Sequence, residues 1–89
     1  MRLDLFLKVS RLCSRRPLAQ KLCDAGLVSI NAKPAKSAHS IKPDDELTMR
    51  IRNRLLTVRI IELPMSRSVS KTDASKLYQV IKDEDLGEL

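Results

Sequence analysis

The chain has 89 residues, 43% of them apolar, with 17 lysines and arginines against 11 acids for a formal net charge of +6. That length gives one small domain with a modest core, and it leaves no room for separate cofactor and substrate lobes. The apolar runs, such as Leu5-Phe6-Leu7 and Leu55-Leu56, fall far short of the roughly 18 residues of a membrane span, so no membrane partner is expected.

Charge is polarised along the chain. Residues 1–23 set Arg2, Lys8, Arg11, Arg15, Arg16 and Lys21 against Asp4 alone, a balance of +5. Residues 24–63 hold seven bases and five acids, and residues 64–89 hold four bases and five acids. The first segment also carries Leu3, Phe6, Leu7, Val9, Leu12, Leu18 and Leu22, so it has apolar residues to anchor it and bases left to face a polyanion. Nucleic acid leads among such partners. Phe6 and Tyr78 are the only aromatics, which removes base stacking along a row of rings and leaves charge and shape. A structured RNA or a duplex backbone fits this better than a splayed single strand, and composition does not separate RNA from DNA.

Leu3, Phe6 and Leu7, followed by Cys13, predict an amphipathic helix over residues 3–12. If it continues through residue 15, Lys8, Arg11 and Arg15 share one cationic face. If it stops earlier, Arg15 and Arg16 fall in the connection and at the start of a second helix, where the positive N-terminus adds to their attraction for phosphate. Asp4, the lone acid here, either caps the first helix or holds a nearby arginine by a charge-assisted hydrogen bond. Pro17 suits the first turn of the second helix, with Leu18, Leu22 and Ala25 along one side, and Gly26 supplies a left-handed stop.

Beyond Gly26 the period changes to two. Val28 and Ile30 form a short strand, Asn31-Ala32-Lys33-Pro34 a turn, and Ala35 to Ser37 a short returning strand. Pro43-Asp44-Asp45 makes a second turn. Leu47, Met49 and Ile51 alternate with polar residues in a strand that Arg52-Asn53-Arg54 joins by a hairpin to a strand from Leu55 to Leu63. Residues 64–75 are polar and serine-rich, a linker. Thr72 or Asp73 then caps a last helix in which Leu77, Val80 and Ile81 share a side and which frays at Asp83-Glu84-Asp85. The expected class is α+β: two N-terminal helices packed on a small antiparallel sheet with a C-terminal tail helix, divided into a domain at 1–63 and a linker and helix at 64–89.

Chemistry is mostly excluded. With only Gly26 and Gly87, neither a phosphate loop nor a dinucleotide fingerprint can be built. A lone His39 makes no triad and reads as a loop residue, Cys13 and Cys23 lack zinc-ligand spacing, and Asp44-Asp45 belongs to a turn. No catalytic residue, metal or cofactor is expected. The two cysteines read as buried free thiols of a reducing compartment, and Asp4 interrupts any signal-peptide core, so the chain is expected to be cytoplasmic.

Arg2-Leu3-Asp4 with Phe6-Leu7, Arg16 with Ala19, Gly26-Leu27-Val28-Ser29-Ile30-Asn31 and Pro43-Asp44-Asp45-Glu46-Leu47 together resemble the RNA-binding domain first named from ribosomal protein S-four, over residues 2–51. The resemblance implies two helices presenting a basic face to structured RNA, here Arg2, Lys8, Arg11, Arg15 and Arg16. Two positions depart from the family, which usually has glycine where this chain has Ala32 and Asp44, so both turns must take a left-handed residue at some cost or change type. A third departure puts Arg15 where the family often has serine.

The whole-length pattern, ending in Lys76-Leu77-Tyr78-Gln79-Val80-Ile81-Lys82 and Leu86-Gly87-Glu88, is similar to the RqcP proteins of bacterial ribosome-associated quality control, relatives of the fifteen-kilodalton heat-shock protein. That likeness implies a non-catalytic monomer on a dissociated large ribosomal subunit, touching its RNA and peptidyl-tRNA and supporting alanine tailing by an RqcH-type partner. The rivals are an RNA-binding accessory subunit of an RNA-modifying enzyme or synthetase, which would need its catalytic part on another polypeptide, and a general structured-RNA, duplex-DNA or protein-interaction module.

Overall fold

The computed structural model describes residues 1–87. Helices α1 (Leu3–Val9) and α2 (Arg16–Asp24) precede strands β1 (Val28–Ile30), β2 (Lys33–Pro34), β3 (Glu46–Ile51), β4 (Arg54–Ile60) and β5 (Tyr78–Asp85), with a one-turn helix α3 (Lys71–Ala74) before the last strand. The strands form one antiparallel sheet in the order β2-β1-β3-β4-β5. This is the expected α+β class, with two N-terminal helices on a small antiparallel sheet.

Periodicity accounts for the core. Leu3, Phe6 and Leu7 of α1 are fully buried and share one cluster with Val28, Ile30, Leu47, Met49, Val58 and Ile60, the inward residues at alternate positions of three strands. The second helix is turned from the expected orientation. Its buried residues are Ala19 and Cys23, an i, i+4 pair small enough for close approach, while Leu22 is only partly packed and Leu18 is 44% exposed.

The first helix is shorter than residues 3–12. Ser10 is its C-cap, and Arg11 follows at φ +64°, the left-handed position that usually takes glycine. The second helix ends as expected at Gly26, with φ +74°. Leu27 N–H donates to Leu22 O (3.0 Å) and Gly26 N–H to Cys23 O (3.0 Å), the paired bonds of a Schellman stop.

Both turns with a missing glycine keep the left-handed geometry. Asn31 (φ +51°) and Ala32 (φ +69°) are the two central residues between Ile30 and its partner Lys33, a type I′ hairpin. Pairing resumes directly after this two-residue loop, so the return strand is Lys33–Pro34 and not Ala35 to Ser37. In the second turn Asp45 N–H donates to Lys42 O (3.2 Å) across Pro43 and Asp44 (φ +74°), the arrangement of a type II turn. Asn31 Nδ2 donates to Oδ1 of buried Asp45 at 3.1 Å and fastens the two turns together. Ala32 and Asp44 are exposed, and their left-handed backbone is strained. Ala32→Gly and Asp44→Gly are therefore expected to stabilise the fold by roughly 0.5–1 kcal/mol each, less for Asp44 because Asp tolerates this region better. Thermal melts of the single variants check this, and a lower Tm for Ala32→Gly would refute it.

The C-terminal tail helix expected from a cap at Thr72 or Asp73 through Lys82 does not form. Tyr78–Asp85 is a strand, and only the one-turn α3 precedes it, capped by Ser70, whose Oγ accepts from Asp73 N–H at 3.1 Å. The spacing of Leu77, Val80 and Ile81 fits a helix, but β4 offers a free edge, and Tyr78 and Val80 pair with Ile60 and Val58 along it. A short helix gains little in isolation, whereas Tyr, Val and Ile suit a pleated surface, so tertiary pairing wins. A register shift between Thr57 and Val58 leaves Ile81 as the extra residue of a bulge. The acidic end lies beside Arg54, which bonds Asp83 through Nε (3.1 Å) and Nη2. That pairing raises the Arg54 pKa.

Candidate nucleic-acid interface

The first turn of α1 places Asp4 against α2, fully buried. Its carboxylate accepts five hydrogen bonds. Oδ1 takes Arg2 Nε at 3.1 Å and Leu5 N–H at 2.8 Å, while Oδ2 takes Arg2 Nη2 at 3.2 Å, Arg16 Nε at 3.2 Å and Gln20 Nε2 at 2.9 Å. Burial by itself pushes this carboxyl up, but the bonds from Arg2, Gln20 and Arg16, with the Arg16 charge, outweigh it and hold the pKa at about 2. Asp4 is thus charged at neutral pH. Arg2 and Arg16 remain 49% and 37% exposed, with guanidinium groups fixed at one end and open to solvent at the other. Pinned in this way, the two guanidinium groups would have less side-chain entropy to lose on meeting an anion.

Of the alternatives open for Asp4, holding arginine is the one realised, with two arginines instead of one. The N-cap of α1 is Arg2, which makes no side-chain cap bond. The signal for the cluster was Asp4's solitude among bases; Gln20, its third side-chain donor, gave no sign in the sequence.

The five predicted bases do not share one helical face. Arg2 and Arg16 converge on Asp4. Arg15 is the exposed, extended N-cap residue of α2, where Arg15 and Arg16 flank the positive helix end. Lys8 and Arg11, at and beyond the end of α1, line a groove of about 430 Å³ whose opposite wall is Arg67, Ser68 and Val69. There Arg11 Nη2 donates to Val69 O at 3.2 Å. Arg67, which stands in a stretch whose net charge is negative, gave no sign in the sequence of lying near these bases.

Among the described residues no three His, Cys, Asp or Glu side chains are grouped to hold a metal. Cys13 and Cys23 are buried and free. Burial, then the neighbouring Cys23, pushes the Cys13 thiol up to about 11, and burial with Asp4 and Asp24 raises Cys23. Both stay protonated at neutral pH and pack as small hydrophobes.

The helix pair and the start of the sheet fall within residues 1–47, which the S4 domain family model matches. The chain is 48% identical over 88 residues to the RQC P-site tRNA stabilizing factor of Bacillus subtilis, covering 99% of this chain and 100% of that one. It is 44% identical to the factor of the same name from Halalkalibacterium halodurans, over 97% and 96% of the two chains. Among solved structures, the trimeric Vibrio cholerae heat shock protein 15 superposes with a TM-score of 0.83 at 28% identity, over 90% of this chain and 80% of that one. The solution structure of HP1423 gives 0.80 at 27%, over 94% and 100%. The chain belongs to the S4 domain family and, within it, to the group of RQC P-site tRNA stabilizing factors.

Proposed function

We propose that this chain is a non-catalytic RNA-binding factor of ribosome-associated quality control. It binds a large ribosomal subunit that still holds peptidyl-tRNA, in the cytoplasm and as a single copy. Arg2, Lys8, Arg11, Arg15 and Arg16 grip RNA phosphates, and the bound factor steadies the tRNA while an RqcH-type partner on the same particle adds alanine to the stalled chain. The observation that carries the assignment is the near full-length likeness to relatives named for stabilising a P-site tRNA. The Asp4 cluster supplies the chemistry, two oriented guanidinium groups on a surface whose first 23 residues have a balance of +5.

A factor acting by binding alone changes an outcome only through differential affinity, here by favouring one position of the tRNA over others. Deleting its gene is expected to reduce alanine tails on stalled chains while tRNA charging stays normal. Tails of unchanged length, with the protein sedimenting on small subunits, would refute the assignment. At the level of contacts, Arg15→Ala with Arg16→Ala is expected to weaken RNA binding and reduce the log-log salt slope by roughly 0.7 to 0.9 for each lost phosphate. An unchanged slope with an intact circular dichroism spectrum would place the RNA face elsewhere.

A further inference from the structure

We propose that Lys8, Arg11 and Arg67 form a second phosphate-binding groove, in which Arg67 from the connection between β4 and α3 closes on the backbone of the RNA. The inference rests on the RNA-binding reading above and extends it to a segment that the S4 match, residues 1–47, does not reach.

Three observations carry it. The groove brings three cations and the hydroxyls of Ser14 and Ser68 to one concavity with no acid in its lining. None of the three cations takes part in an ion pair among the described residues, which is true of eight other bases as well, so what sets these three apart is their grouping around one acid-free concavity. Their charge is not spent on an acid of this chain, and a phosphodiester is the kind of ligand that cations and hydroxyl donors lining one concavity hold.

The third observation is the backbone at Arg11. The stop of α1 favours glycine, yet an arginine stands there at φ +64°, with its guanidinium tied to Val69 O across the groove. The bond to Val69 aims the Arg11 side chain into the groove while leaving its other donors available.

The test is fluorescence anisotropy of labelled, uncharged tRNA over a salt series, with the full-length chain. Arg67→Ala is expected to lower affinity several-fold and reduce the log-log salt slope by roughly 0.7 to 0.9, and Arg67→Lys to keep the slope. Arg11→Gly separates binding from folding: its melting temperature should stay level or rise as strain is relieved, while affinity and slope fall. Arg16→Ala runs in parallel. Loss of binding in Arg16→Ala with none in Arg67→Ala would overturn the groove and leave the RNA reading standing, whereas no loss in either would overturn both. If Arg67→Ala abolished competition by polyglutamate yet bound tRNA normally, the groove would be a site for an acidic protein and the proposal would fall.

Discussion

Asp4→Asn is expected to weaken RNA binding although it raises the net charge from +6 to +7. Bulk electrostatics alone predicts the opposite, because added positive charge strengthens nonspecific attraction to phosphate. The loss comes from geometry. Asp4 accepts four side-chain N–H bonds from three residues and one backbone N–H, and an amide in either orientation turns its NH₂ toward at least two of those donors. Arg2 and Arg16 then lose their common anchor and swing free. Asp24→Asn, an exposed acid on α2, makes the same change in charge and should bind at least as well as the parent chain. Equal affinity for the two variants would mean that Asp4 does not orient the arginines.

The same substitution has a stability signature. The Asp4 pKa falls from 3.8 to about 2 on folding, so its ionised form stabilises the native state above the unfolded pKa, and that contribution disappears as pH drops through about 2. The size is about 2 kcal/mol. Partly exposed arginines recover hydration when the carboxylate is lost, so the cost of Asp4→Asn at pH 7 should be roughly 2–3 kcal/mol, below that of breaking a fully buried pair. Between about pH 5 and 2 the parent should approach the variant in stability, a convergence that denaturant titrations at several pH values would reveal.

Much of this fold follows from local chemistry in the sequence. The period-two runs around Leu47 and Val58 and the stop at Gly26 are each set by neighbours within a few residues and stand where that chemistry places them. The expected Arg52-Asn53-Arg54 connection, by contrast, shortens to two residues because Arg54 pairs with Ile51, and the strand ends at Ile60 instead of Leu63. The turns at Ala32 and Asp44 kept left-handed backbone because the surrounding pairs dictate turn geometry more strongly than one residue's preference. Elements decided by distant partners were harder to see. Tyr78 to Ile81 carries both a helical spacing and a strand composition, and the free edge of β4 chooses between them. The candidate face was legible as a concentration of charge and a lone acid, while the groove lined by Lys8, Arg11 and Arg67 depends on how the 64–77 connection returns to α1.

Ending the chain after Leu63 is expected to cost most of its stability. The cut removes β5, which pairs along the whole of β4, and with it Leu77, a core residue only 4% exposed, and the half-buried Tyr78 packed against the core. Leu77 also accepts the N–H of Ile61 at 2.8 Å, so the end of β4 loses a backbone partner. Burying a leucine contributes roughly 2–3 kcal/mol, and a domain of this length holds only about 4–13 kcal/mol in total. Leu77→Ala in the full chain should therefore lower stability by a few kcal/mol yet leave a cooperative transition. The truncated chain should do worse, because β4 becomes an exposed edge bearing Leu56. A broad melt, dye binding to exposed apolar surface and concentration-dependent association are the expected results. A sharp two-state transition within a few degrees of the parent would show that residues 1–63 fold alone and that β5 is an addition to a finished core.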